Sequence, residues 1–251
     1  KLLKYELKST ARTFIPLYIA IILVSIVQGF SLNAEMFKIQ GIATMLLGAL
    51  FIALFVINII VIVQRFKKNL LEDEGYLMFT LPVSPQMLIL SKYIVPVIWT
   101  VLSGLVAMLV FTLAAFISSN GDIKIVEVFN ALFQAMREIR VLSVLALILC
   151  EYSIFIFTIY TSLSLGQLPI FNKHRTAASL ISFFVINAII STIQANLNLY
   201  INSGVEIGSI GGVLLTNSSN GLFANIVISL VIVVGLFTAI SYILKNKLNL
   251  E

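Results

Sequence analysis

Residues Arg65–Lys92, RFKKNLLEDEGYLMFTLPVSPQMLILSK, form a polar interruption between two long apolar segments, and their reading decides the fold. Apolar runs of about 20 residues are what a helix needs to cross the roughly 30 Å hydrocarbon core of a bilayer. Outward from the interruption the same pattern repeats. Six spans are expected, at about residues 14–32, 42–63, 93–116, 141–163, 176–197 and 222–244. The chain has 251 residues, 60% hydrophobic and 11% charged, with a mean hydropathy of +1.08. A soluble domain carries about 25% charged residues, so the composition excludes that class. The segments are also too long for the roughly 10-residue alternating strands of an outer-membrane barrel. The expected fold class is an all-α integral membrane protein, a single six-span domain over residues 1–251.

The net charge of +5 is spread between apolar segments and at the ends, which argues against nucleic acid as a partner. Six spans place both termini on one side. That side holds twelve cations, Lys1, Lys4, Lys8, Arg12, Arg65, Lys67, Lys68, Lys92, Lys173, Arg175, Lys245 and Lys247. The other holds four, Lys38, Lys124, Arg137 and Arg140. Short loops rich in Lys and Arg stay in the cytoplasm, so both termini and Arg65–Lys92 are assigned there.

Lys1–Phe14 reads as an amphipathic interfacial helix before the first span. Leu3, Leu7, Ala11 and Phe14 share one face, and Lys4, Lys8 and Arg12 lie beside it among lipid head groups. A plain cytoplasmic extension of the first span is the alternative. Arg65, Lys67 and Lys68 are a second basic set at the membrane surface. Gly104 is expected to permit close helix packing. Residues 125–136 are expected as a short surface helix, and YINSGVEIGSIGGVLLTNSSNG (200–221) as short or broken elements dipping into one side of the bilayer.

Polar groups inside the spans are the candidates for function, because each is costly in hydrocarbon unless it meets protein or water. Glu151 lies near the middle of the fourth span, with Thr158 and Ser162 on the same helical face at offsets of seven and eleven. It reads either as a cargo or gating contact or as a structural carboxyl bonded to another span. Asn187, Ser191, Gln194 and Asn198 form a stripe on the fifth span, spaced four, three and four, which lines a translocation path or joins helices. Asn58 and Gln28 are candidate partners. Cys150 is the sole cysteine and His174 the sole histidine, so no metal or disulfide is expected.

Within Arg65–Lys92, the acidic run Glu72, Asp73 and Glu74 is followed by Gly75 and by Tyr76, Leu77, Met78 and Phe79. Ser84-Pro85 is a good cap and first-turn pair, so a second short helix is expected there, feeding the third span. This arrangement, F-x-x-N-L-x-x-D-E-G-Y-L-x-x-x-L-P-V-S-P followed by L-x-x-S-K, resembles permease subunits of ABC-2-type (type V) ATP-binding-cassette exporters, especially small Gram-positive bacterial ones. The resemblance covers the whole chain. It implies a coupling helix at Leu71, Glu72, Asp73, Glu74, Gly75, Tyr76, Leu77 and Phe79, docking in a groove of a separate nucleotide-binding subunit. Pro82 lies in the turn back to the membrane.

The chain has no Walker A pattern G-x-x-x-x-G-K-[ST], so ATP and Mg are expected in the partner ATPase, and this chain is expected not to be an enzyme. The resemblance further implies a bacterial cell-membrane location and a second permease copy, with a homodimer the simpler case and a heterodimer the other. The chain also resembles the permease of the phenol-soluble-modulin exporter type, which implies export of an amphipathic or antimicrobial peptide. The rival classes are a non-transporting adaptor or immunity subunit using the same docking loop, and an autonomous ion-coupled carrier relying on Glu151.

Overall fold

The computed structural model describes residues 2–34, 36–68, 85–119, 125–168, 171, 174–201, 207–210, 213–216 and 219–246. Seven helices appear among them: α1 (Leu2–Asn33), α2 (Phe37–Phe66), α3 (Pro85–Ser118), α4 (Ile125–Arg137), α5 (Ile139–Gly166), α6 (Arg175–Ile201) and α7 (Ser219–Asn246). All except the 13-residue α4 are long and apolar enough to cross a membrane, so the chain is a multi-pass membrane protein. Side chains such as Ile19, Leu23, Phe55, Phe111, Ile148, Phe184 and Val231 stand exposed along these helices. In water such surfaces would drive aggregation; in lipid they are the solvated face.

The spanning helices contain 27–34 residues, or about 40–51 Å at 1.5 Å per residue, well beyond the hydrocarbon core. The excess is polar or amphipathic helix at the ends, which changes two expectations. Leu2–Asn33 is one continuous helix, with Pro16 inside it, so no separate interfacial helix precedes the first span. The third span likewise begins at Pro85 without an intervening short helix. The expected surface helix at 125–136 is present as α4.

The stretch after α6 contains a two-stranded antiparallel hairpin, β1 (Ile207–Ile210) and β2 (Val213–Thr216), pairing Ile207 with Thr216 and Ile210 with Val213. It is a small addition to an otherwise all-helical fold, and it gives the broken segment a way to pair its backbone groups. Gly211-Gly212 between apolar runs is the sequence signal for such a hairpin.

The described chain divides into two compact units, Lys1–Gln64 with Leu90–Ala135, and Arg65–Ile89 with Met136–Glu251. In the first unit Ile21, Leu47, Leu54 and Val110 form one buried cluster joining α1, α2 and α3, and Phe14, Val95 and Trp99 form another. In the second unit α5 is the central helix. Of its most apolar stretch 44% is buried, against 11% for α6 and for α7, and it packs on both of them. Phe155 meets Phe183 of α6 edge-on at 6.3 Å, Phe157 meets Phe237 of α7 at 5.8 Å, and Tyr160 stacks on Phe66 at 4.1 Å.

Two glycines mark the closest helix approaches. A Cβ on Gly29 of α1 would come within 2.8 Å of Ile117 Cβ on α3. One on Gly166 would come within 2.7 Å of the Arg175 carbonyl oxygen at the start of α6. Gly104, expected in this role, has open space around its Cβ position.

Candidate functional site

In the first unit the polar contacts run along the α1–α3 seam. Lys92, a surface cation by its sequence context, is 1% exposed, and its Nζ is ion-paired to Oε1 of Glu6, itself 5% exposed. One turn along, Trp99 Nε1 donates to Thr10 Oγ1 at 2.7 Å, and Thr10 Oγ1 donates to the Glu6 carbonyl oxygen at 2.9 Å. The Phe14 ring stacks on Trp99 with centroids 4.6 Å apart. Tyr18 Oη and Ser103 Oγ share a 2.8 Å hydrogen bond, and Ser25 Oγ donates to the Val110 carbonyl at 2.8 Å. Between α2 and α3, Asn58 Nδ2 donates to Thr100 Oγ1 at 2.8 Å. Asn58 is thereby a helix contact of the first unit. Gln28 turns to Thr44 Oγ1 at 3.3 Å.

The second unit holds the Glu151 junction. Its Oε1 accepts Gln194 Nε2 of α6 at 2.9 Å and Ser229 Oγ of α7 at 2.7 Å. One carboxylate oxygen therefore ties three spans together near the middle of α5, replacing part of the hydration that hydrocarbon denies it. Both donors use Oε1, so Oε2 makes no hydrogen bond among the described residues.

Of the other polar positions, Thr158 is fully buried with no partner for Oγ1 among the described residues, and Ser162 Oγ bonds the Ile159 carbonyl of its own helix. Asn187 Nδ2 returns to the Phe183 carbonyl, and Ser191 is exposed. The structure thus joins Glu151 to one member of the predicted stripe, Gln194, and among the described side chains does not join Asn187 or Ser191 to it. The Asn198 side chain lies outside the described residues. Lys8, Arg12 and Lys68 are exposed and Arg65 and Lys67 half-buried; the Lys4 side chain is not described.

Comparison with family models, with curated proteins and with solved structures returns no match. The proposed coupling set, Leu71 to Leu77 with Phe79 and Pro82, lies outside the described residues. Among the described residues no group of three His, Cys, Asp or Glu side chains is placed to hold a metal.

Glu6, Thr10, Thr100, Ser103 and Ser229 were not singled out by sequence. Glu6, Thr10 and Phe14 recur every four residues on one face of α1, and Asn225 and Ser229 do the same on α7. Such a polar spacing within an apolar span was the available signal. Taking Lys92 out of the surface charge leaves eleven cations against four.

The junction has a direct test. Glu151→Gln preserves an acceptor for both donors and is expected to keep the α5–α6–α7 packing. Glu151→Leu strands Gln194 and Ser229 and is expected to cost about 1–2 kcal/mol, with hydrogen bonds between spans averaging about 0.6 kcal/mol each. SDS-titrated unfolding of the detergent-solubilised chain measures both. Equal stability of Glu151→Leu and the parent would remove the junction's structural role.

Proposed function

We propose that this chain is the permease subunit of an ABC-2-type ATP-binding-cassette exporter, coupling ATP hydrolysis in a separate nucleotide-binding subunit to efflux of an amphipathic or antimicrobial peptide. The observation that carries the reading is the residue pattern of Arg65–Lys92 between the second and third spans. A simple crossing between spans needs few residues, whereas this one joins an acidic run, aromatic anchors and a Leu-Pro-Val-Ser-Pro turn. The cation bias supports a cytoplasmic face for it and for both termini, in a bacterial cell membrane. Six helices of spanning length supply the scaffold.

In this mechanism ATP binding closes the partner ATPases, which displace the segment around Glu72–Phe79. The adjoining spans then exchange access from the inner to the outer side, and cargo leaves between two permease copies, most simply a homodimer. Buried aromatic anchors dominate such interfaces, so Tyr76→Ala with Phe79→Ala is expected to weaken binding of the ATPase by about 100-fold or more while membrane insertion is unchanged. Co-purification and surface-immobilised titration of the partner measure this. Unchanged affinity would dismiss Tyr76 and Phe79 as anchors.

The second reading, an ion-coupled carrier, draws on the Glu151 oxygen that makes no hydrogen bond among the described residues. Reconstitution with a soluble ATP-binding-cassette ATPase that co-purifies with this chain separates the two. Peptide accumulation that requires both ATP and the ATPase supports the exporter. Uptake driven by an ion gradient alone supports the carrier, and docking of the ATPase without transport across a broad peptide panel supports an adaptor.

A further inference from the structure

The contacts between α1 and α3 have a nearly uniform sequence offset, between 84 and 89 residues. Glu6–Lys92, Thr10–Trp99, Tyr18–Ser103, Ser25–Val110 and Asn33–Ile117 are separated by 86, 89, 85, 85 and 84 residues. An offset that varies by only a few residues means two parallel helices side by side, in contact from the Lys92 end to the Gly29–Ile117 crossing. Polar partners recur along the whole seam, while α2 returns between them in sequence. At the end where α3 begins, the seam closes on a fully buried ion pair. Buried charges do little for net stability, but removing one partner is severe, and their best-attested use is to fix register.

We infer that the Glu6–Lys92 pair pins the first turns of α1 to the base of α3, making the two helices a single lever that receives any displacement of the segment leading into α3. Lys92 closes the interruption Arg65–Lys92, seven residues after the helix start at Pro85. A push delivered through that segment reaches Lys92 before it reaches the rest of the span. Without the ion pair it would reach the first turns of α1 less directly, through contacts further along the seam such as Thr10–Trp99. With it, the amphipathic start of α1, carrying the exposed cations Lys8 and Arg12, moves in the same stroke. Glu6 and Lys92 are positioning residues in this scheme and touch no cargo. The role in transport rests on the exporter reading; the pinning of α1 to α3 does not.

Two measurements test the inference on the full-length chain. In nanodiscs, hydrogen exchange in peptides covering residues 5–14 is expected to quicken about ten-fold in Lys92→Met and to return to the parent rate in Lys92→Arg and in the exchange Glu6→Lys with Lys92→Glu. Peptides of α5 serve as the control for global unfolding. If Lys92→Met unfolds altogether, Glu6→Gln with Lys92→Met, which leaves no lone charge, is expected to fold and to show the same local loosening. Parent-like exchange in a folded variant lacking the pair overturns the inference.

The second measurement locks the lever. Gly29→Cys with Ile117→Cys, in a Cys150→Ala background, is oxidised and reconstituted with the ATPase. Transport of a dansyl-labelled amphipathic helical peptide is expected to stay within about two-fold of the reduced form, because helices that move as one tolerate a cross-link. A loss of about ten-fold on oxidation shows that α1 and α3 must slide, and overturns the lever. If the parent chain shows no ATP-dependent transport at all, the exporter reading fails and hydrogen exchange alone decides the pinning.

Discussion

Lys92→Met, made alone, is expected to destabilise the chain by about 3–5 kcal/mol, the range for removing one partner of a buried ion pair. Lys92 is 1% exposed, and its charge faces Glu6 between two helices beside the apolar cluster of Phe14, Val95 and Trp99. Methionine fills nearly the same volume, so the loss is electrostatic rather than a cavity. The Glu6 carboxylate then loses its cation inside the seam, which is the costly half of breaking such a pair. Glu6→Leu with Lys92→Met removes both charges and is expected to recover most of the loss, since matched apolar pairs often equal a buried ion pair. Apparent melting of the detergent-solubilised protein compares the three. Parent-like stability of Lys92→Met would mean that the pair is solvated.

Gly166→Leu is expected to be nearly as damaging, at about 3 kcal/mol, the upper part of the overpacking range. Its Cβ would lie 2.7 Å from the Arg175 backbone oxygen, and a backbone atom cannot turn aside as the nearby Ser179 hydroxyl can. The turn between α5 and α6 would have to open, pulling apart the two helices that hold Glu151 to Gln194. Gly104→Ala is the contrasting control. With nothing within 4 Å of the added methyl, it is expected to be neutral or to stabilise by up to about 1 kcal/mol through helix propensity. The same melting assay ranks both, and a tolerated Gly166→Leu would show that this turn repacks freely.

The six spans were legible because a bilayer imposes a length and a polarity that single segments reveal. Their ends were less so. Hydropathy marks the lipid-length part of a helix, while the turns beyond it, such as Leu2–Thr13 and Pro85–Ser91, are polar enough to pass for separate elements. Glu151 stood out as an acid in an apolar run, and Gln194 as a stripe member at the right spacing. Ser229 did not, because one hydroxyl in an apolar helix is unremarkable until the partner helix is placed. Glu6 and Lys92 were hidden more deeply. Glu6 sits between Lys4 and Lys8, and Lys92 at the edge of a span, so each reads as solvated, and only the pairing of residues 86 apart turns them into a buried pair.

That separation has a consequence for how the protein is made. The chain is delivered to the membrane in order, and α1 leaves the ribosome while α3 is still unread. At about 5–20 residues per second, Glu6 waits roughly 4–17 s for the lysine 86 residues behind it. During that interval the first helix must keep its acid in the head groups or shelter it against the insertion machinery. The partner that finally draws it in arrives only after the second helix has turned back, so synthesis itself enforces the order in which the first three spans assemble.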